Sequence, residues 1–417
     1  MIETKFKDTE VGKIPVDWEI TSLDDICEFR NGYTPSKRIS AFWTGGTIPW
    51  FRMEDIRQNG RILSDAIQHI TTTAVKGELF SANTIIMSTT ATIGEHALLI
   101  ADSLANQRFT NFKIRKSLCN KIDIMWFYWY CYKIGEWCRA NIHEGGLTAV
   151  NIVDLAKLTI PIPPLAEQQR IAEALSNIDS LIENLDKLIE KKRLIKQGAM
   201  QELLTGKKRL PGFTGEWGNQ NITTLCTIKA RIGWQGLTTN EYLPVGDYIL
   251  VTGTDFKNGY IDWKSCYYVS EWRYQQDHNI QIRNGDILIT KDGTIGKVAY
   301  IENLPKEGTL NSGVFVIRTK DDKKLDNAYL SWFFKSKWFV DFINQLSAGS
   351  TINHLYQKDF TKLNIIFPTS VDEQRAIALI LSSMDTNIDV LEQKRDKYIA
   401  IKKGMMQQLL TGKIRLI

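Results

Sequence analysis

A chain of 417 residues exceeds one ordinary core and predicts two or three domains. With 43% hydrophobic and 24% charged residues it has a globular composition, which excludes a disordered or fibrous chain. The net charge of +5 permits a polyanionic partner without demanding one, the opening MIETKFKDTE lacks the apolar stretch of a signal peptide, and the most apolar run, residues 124–132, is too short to cross a bilayer.

The chain opens on short β-branched runs punctuated by Gly, Asn and Pro, which predict a twisted sheet with irregular loops. A strand-like run at residues 84–87 leads into Thr92-Ile93-Gly94. An aromatic helix is expected over 122–142; Trp126, Phe127, Trp129 and Tyr130 recur there at helical spacing, which favours core packing over a base-stacking platform. A glycine loop, Gly145-Gly146-Leu147-Thr148, and a strand ending Lys157-Leu158-x-Ile160-x-x-Pro163 follow. Each half therefore reads as α+β, with a helix packed on the sheet.

Next comes a long helix over residues 167–210, in which Ile171, Leu175, Ile178, Ile182, Leu185 and Ile189 step by 4, 3, 4, 3, 4. That is the seam of a coiled coil. The stretch 206–218, rich in Gly and Pro, marks a boundary, and then the chain repeats itself. Trp18 and Cys27 recur as Trp217 and Cys226, Asp55-Ile56 as Asp255-Phe256, Asn59-Gly60 as Asn258-Gly259, and Thr92-Ile93-Gly94 as Thr294-Ile295-Gly296. A second aromatic helix is expected over 325–346, with Trp332, Phe333, Phe334 and Trp338 in its core, then a glycine loop at Gly349-Ser350-Thr351. Residues 373–416 repeat 167–210 without a gap, identical at 22 of 44 positions, with Ile377, Leu381, Met384, Ile388 and Leu391 forming the matching seam. Two matching stripes in one chain predict that each long helix is the other's partner. Ser370 and Glu373 form a capping-box pattern, Pro164 suits a first helical turn, and both helices stop at Thr-Gly. Rods of about 60 Å exceed what packing a domain needs and suit a spacer.

Signatures of chemistry are missing. The only Pro-Pro, in Ile162-Pro163-Pro164-Leu165, lacks the polar and aromatic neighbours of a DNA-methyltransferase box. Gly293-Thr294-Ile295-Gly296-Lys297-Val298 is too short for a phosphate-binding loop. The five histidines lie far apart, and the six cysteines show no C-x-x-C pair, reading as reduced, mostly buried cytosolic thiols. No catalytic, cofactor or metal site is expected.

With Pro163-Pro164-Leu165-Ala166-Glu167-Gln168 entering the first long helix and Leu203-Leu204-Thr205-Gly206 closing it, echoed by Glu373-Gln374 and Leu409-Leu410-Thr411-Gly412, the whole chain resembles the specificity subunit of type I restriction–modification systems. Asn31-Gly32-Tyr33-Thr34-Pro35-Ser36 and Ile48-Pro49-Trp50 are similar to the target-recognition domains of that family; Gly233-Trp234-Gln235-Gly236 is a looser counterpart. The resemblance implies two tandem target-recognition domains (1–160 and 219–367) and two long helices (161–206 and 368–417) in an antiparallel coiled coil, with a linker at 207–218 and a pseudo-two-fold repeat. It further implies a non-catalytic cytoplasmic reader of double-stranded DNA, each domain taking one half of an asymmetric bipartite site. Two modification subunits would dock on the helices and bring S-adenosylmethionine; a restriction subunit would bring ATP, Mg and cleavage. Under it, the polar loop residues become candidate DNA contacts: Arg30, Asn31, Lys37, Arg38 and Arg52 in the first half. In the second half they are Lys229, Arg231, Gln235, Lys257, Arg273, Gln275, Gln276 and Lys291. A stand-alone bipartite DNA-binding regulator is the alternative, and a solitary enzyme a more distant one.

Overall fold

The computed structural model describes residues 5–142, 149–347 and 354–417, so both glycine loops lie outside the described residues. The chain divides into two compact units, Met1–Leu185 with Lys394–Ile417, and Asp186–Gln393. No helix is long and apolar enough to cross a membrane among the described residues.

The first unit is built on a five-stranded sheet in the order Cys27–Asn31, Phe109–Ile114, Thr84–Ser88, His96–Leu99, Ile62–Leu63, antiparallel except for its last pair. Side chains alternate across a strand, so a strand covered on both faces reads as an unbroken apolar run. Thr84–Ser88 is such a strand. Ile85 and Met87 face a core that includes Trp126, Phe127 and Trp129 of the helix Ile124–Ala140, while Ile86 faces a second core of Trp50, Phe51 and Phe109. A smaller sheet centres on Ile48–Phe51, with Leu104–Ala105 parallel and His69–Ile70 antiparallel to it.

The second unit repeats this plan. Its four-stranded sheet runs Cys226–Ala230, Val314–Thr319, Ile287–Thr290, Val298–Tyr300, and its small sheet centres on Tyr248–Val251, with Gly308–Leu310 parallel and Tyr267–Val269 antiparallel. Ile287 and Ile289 again face the aromatic helix and Leu288 the other core. Asp55 and Asp255, paired by the repeat, are both buried and accept the backbone N–H three residues earlier, from Arg52 at 2.6 Å and Thr252 at 2.7 Å.

The aromatic helix of the second unit departs from expectation. Instead of one helix over 325–346 there are two, Asn327–Lys335 and Lys337–Ser347, separated at Ser336, whose ψ of 161° is extended. The break shifts the helical phase, so Trp332, Phe333 and Phe334 are buried as expected whereas Trp338 is 47% exposed. The core reading is corrected for that residue.

Both long helices have 39 residues, Leu165–Leu203 and Val371–Leu409. Their seams are buried at Ile171, Leu175, Leu185, Ile189, Ile377, Leu381 and Ile388. In the first unit the start of the first long helix lies beside the end of the second: Asp179 pairs with Lys402, and Ile171 and Leu175 share a core with Leu409 and Leu410. In the second unit the roles exchange: Lys196 pairs with Asp385, and Leu203 and Leu204 share a core with Ile377 and Leu381. Within each unit the two helices are thus antiparallel. Gly206 and Gly412 close them with φ of 70° and 69°, the left-handed conformation that glycine adopts freely.

The expected capping box at Ser370 forms only by half. Ser370 accepts the Glu373 backbone N–H at 3.4 Å, but the Glu373 carboxylate turns away to Arg209, which holds it through Nε at 2.6 Å and a terminal nitrogen at 2.7 Å. A two-point charged pair in a site where Glu373 is 1% exposed outweighs one backbone N–H at a helix end. Glu167 does the same with Arg415, at 2.7 Å to each oxygen. The neighbouring glutamines tie the domain helix in place. Gln168 accepts from Asp123 N at 2.8 Å and donates to Lys121 O and Pro163 O; Gln374 accepts from Asp326 N at 2.7 Å and donates to Lys324 O and Pro368 O. The Glu-Gln pair at the entry of one long helix and the Arg beyond the Thr-Gly exit of the other are therefore parts of one clasp, made twice.

Candidate nucleic-acid interface

In the first unit the loop that follows the strand Cys27–Asn31 is pinned at several points. Gly32 donates to Phe109 O at 2.8 Å and lies so close to residues 105 and 106 that a Cβ would sit 2.3 Å from two backbone oxygens, so only glycine fits. Tyr33 donates through its hydroxyl to Ala74 O, Trp50 Nε1 donates to Tyr33 O at 2.9 Å, and Trp43 Nε1 donates to Ser36 O at 3.2 Å. What this loop presents is charge: Lys37 and Arg38 are exposed and make no hydrogen bond or ion pair among the described residues. Asn31 is exposed but accepts from Thr110 Oγ1 at 2.9 Å. Arg30 stands 4.7 Å from the centre of the Phe80 ring. Arg52 is half-buried, paired with Glu54 at 2.9 Å.

The second unit treats its candidates differently. Arg231 is 2% exposed, donating through Nε to Leu310 O at 2.8 Å and through its terminal nitrogens to Thr309 Oγ1 and Gln276 Oε1. Burial, and then the Arg273 charge beside it, pull its pKa below the usual arginine value. Arg273 donates to Glu241 Oε1 at 2.6 Å and to the same Gln276 oxygen at 2.9 Å. That Arg273 bond, with the Thr238 backbone N–H, takes the Glu241 carboxyl down to about 2. Gln235 is buried, its backbone oxygen accepting from Arg273 at 3.5 Å. Residue type suits these side chains to base edges, but Arg231 and Gln235 are enclosed and Arg273 is already paired, so they build the surface. Arg231, a candidate DNA contact by sequence, is placed by the structure as a buried strut beneath the surface. The structure does not bring the others into this network: Lys229 and Gln275 are exposed, Lys257 pairs with Asp262 at 3.4 Å, and Lys291 is half-buried, 5.5 Å from the Phe315 ring centre.

Potential reaction chemistry is thin. A cavity of about 810 Å³ in the first unit is lined by Arg57, Arg61, Arg139, Glu95 and His96. Burial, and then Arg61, push the His96 pKa down to about 3, which leaves the imidazole neutral at pH 7. Among the described residues no group of three or more His, Cys, Asp or Glu could hold a metal ion.

A family model described as the type I restriction modification DNA specificity domain matches the chain twice, over residues 15–191 and 215–398. The specificity subunit of the EcoprrI type I restriction enzyme of Escherichia coli is 41% identical over 189 residues, a match spanning 43% of this chain and 47% of that protein, about half its length. The specificity subunit of the MjaVIII type I restriction enzyme of Methanocaldococcus jannaschii is 23% identical over 431 residues, spanning 99% of this chain and 96% of that one. The fold is that of the type I restriction–modification S subunit from M. genitalium, with a TM-score of 0.61 at 17% identity over 98% of this chain and 99% of that one.

Proposed function

Because the chain belongs to the type I restriction–modification DNA specificity family, we propose that it is the DNA-reading subunit of such a system, with each of its two modules reading one half of a bipartite duplex site. The observation that carries this reading is a duplication in which the frame is kept and the presented loops differ. Both units share the order of four sheet strands and the same Glu-Gln-Arg clasp, yet one presents Lys37 and Arg38 where the other buries Arg231 and Gln235. Two like frames with unlike surfaces suit an asymmetric site. The long helices provide the docking surface for modification subunits, which bring S-adenosylmethionine; a restriction subunit, with ATP and Mg, completes a system that cleaves. Family membership leaves the stand-alone regulator without support. The chain itself is non-catalytic. Purified alone with labelled S-adenosylmethionine and DNA, it should transfer no methyl groups, and transfer should begin when modification subunits are added; steady transfer by the chain alone would contradict the proposal.

Lys37 and Arg38 are the cations best placed to meet phosphate. Replacing either with Ala should weaken binding to all sequences alike and lower the slope of log affinity against log salt by about one unit. Binding isotherms at several salt concentrations read this directly, and an unchanged slope would remove the residue from the interface.

A further inference from the structure

The network around Arg231 and Arg273 supports a side chain that none of the candidate contacts includes. Trp272, in the first turn of the short helix Glu271–Gln275, keeps 66% of its surface exposed, more than Trp338 at 47%. A single exposed apolar side chain is ordinary on a protein surface, but this one has a fixed cation against its ring. The Arg273 guanidinium lies 4.8 Å from its ring centre and is itself fixed by Glu241 and Gln276. The Gln276 oxygen is also bound by Arg231, which is anchored on Leu310 and Thr309. Ser270 caps the helix, accepting from Arg273 N at 3.4 Å. Tyr274, two residues on, is buried and stacked on Tyr248 with ring centres 4.4 Å apart. The short helix is thus rooted by Tyr274 and presents Trp272 outward. Among the described residues the Trp272 indole N–H has no hydrogen-bond partner, so it is open to an acceptor from outside the chain.

We propose that Trp272 contacts the bases of the half-site read by the second module, its indole wedging against a base step as an apolar side chain and its free N–H available to a base acceptor. Duplex DNA fits this surface better than a second protein does. The charged groups nearest the ring are already neutralised as an Arg273–Glu241 pair, while bases offer acceptors at their groove edges and a π-face where a step is opened. The second module would then discriminate by an uncharged contact, whereas the first presents free cations. This inference rests on the reading of the chain as a DNA-specificity subunit.

The test uses the full chain assembled with its modification subunits and a duplex carrying the methylated site mapped for the wild type. Trp272→Ala should weaken binding to that duplex roughly 5- to 150-fold, the range for losing one base–aromatic contact. The salt slope and the affinity for random duplex should stay unchanged, because no charge is removed. Trp272→Phe should retain most of the affinity. The methylation map of Trp272→Ala should relax at one or two positions of one half-site and keep the other. An unchanged affinity and map would overturn the inference, as would an equal loss on random DNA. So would failure of Trp272→Ala to assemble with modification subunits while its thermal unfolding stays normal, which would mark a protein-docking residue. If the wild type yields no mapped site, the underlying reading fails as well; a wild-type map untouched by Trp272→Ala removes only this inference.

Discussion

Glu167→Ala should destabilise the first unit by about 3–5 kcal/mol, the range for breaking a buried ion pair by removing one partner. Glu167 is 3% exposed, and both its oxygens are occupied: Arg415 holds each at 2.7 Å, Trp18 Nε1 donates to one at 3.0 Å and Leu416 N to the other at 3.4 Å. Without the carboxylate, the Arg415 charge is half stranded, because the hydrogen bonds it donates to Glu167 first and Asp17 second raise its pKa above the arginine norm and no proton leaves in compensation. The Trp18 donor is stranded too. Hydrogen-exchange protection should fall across peptides of the first unit, and Glu373→Ala should move the loss to the second, where Arg209 is the partner. Equal losses in both units from either change would contradict a clasp made separately in each. The pH dependence follows from Asp17, whose carboxyl is held below its usual value of 3.8 chiefly by the Arg415 hydrogen bond. Its contribution is complete above the unfolded value and is lost as pH falls through the lower folded one, so it disappears only at the acid end.

The parts of the fold legible in the sequence were those set by local periodicity and by repetition. The seam residues Ile171, Leu175, Ile377 and Leu381 are buried because a 4-3 step puts them on one stripe, and Gly206 and Gly412 close their helices because no Cβ opposes a positive φ. Where distant partners decided, local reading failed. The Ser370 motif predicted a carboxylate turned back on its own helix, but Arg209, 164 residues earlier, takes it. The break at Ser336 carries no Gly or Pro to announce it. At the candidate site, burial was the part that could not be read locally. Arg231 and Gln235 have the chemistry of base readers, yet exposure is a tertiary property, and Arg231 is enclosed by Leu310 and Thr309, 79 and 78 residues away. Nothing in the sequence singles out Trp272, which stands alone among polar neighbours with no period to draw attention to it.

The second large effect is on specificity, and it tests the central claim. Residues 31–151 of the first module meet the long helices through an apolar core that joins Trp126, Phe127 and Trp129 to Ile171, Leu175 and Leu409, and through a few polar contacts. Gln168 bonds only backbone groups of Lys121 and Asp123, Trp129 donates to Ser176 Oγ at 3.1 Å, and Lys402 lies 4.7 Å from the Trp129 ring centre. The second module uses the same attachment, with Gln374 on the backbone of Lys324 and Asp326, Trp332 donating to Ser382 Oγ at 3.2 Å, and Lys196 at 5.8 Å from the Trp332 ring centre. A relative's domain that keeps the tryptophan should therefore seat on the same helices. The direct measurement is a genome-wide map of methylated positions in a host that carries modification subunits and this chain, with residues 31–151 either native or replaced by the corresponding segment of a relative. The native chain should give an asymmetric site in two parts, and the replacement should change one part completely while leaving the other as it was. A single undivided site, or a change in both parts together, would contradict two modules that read independently.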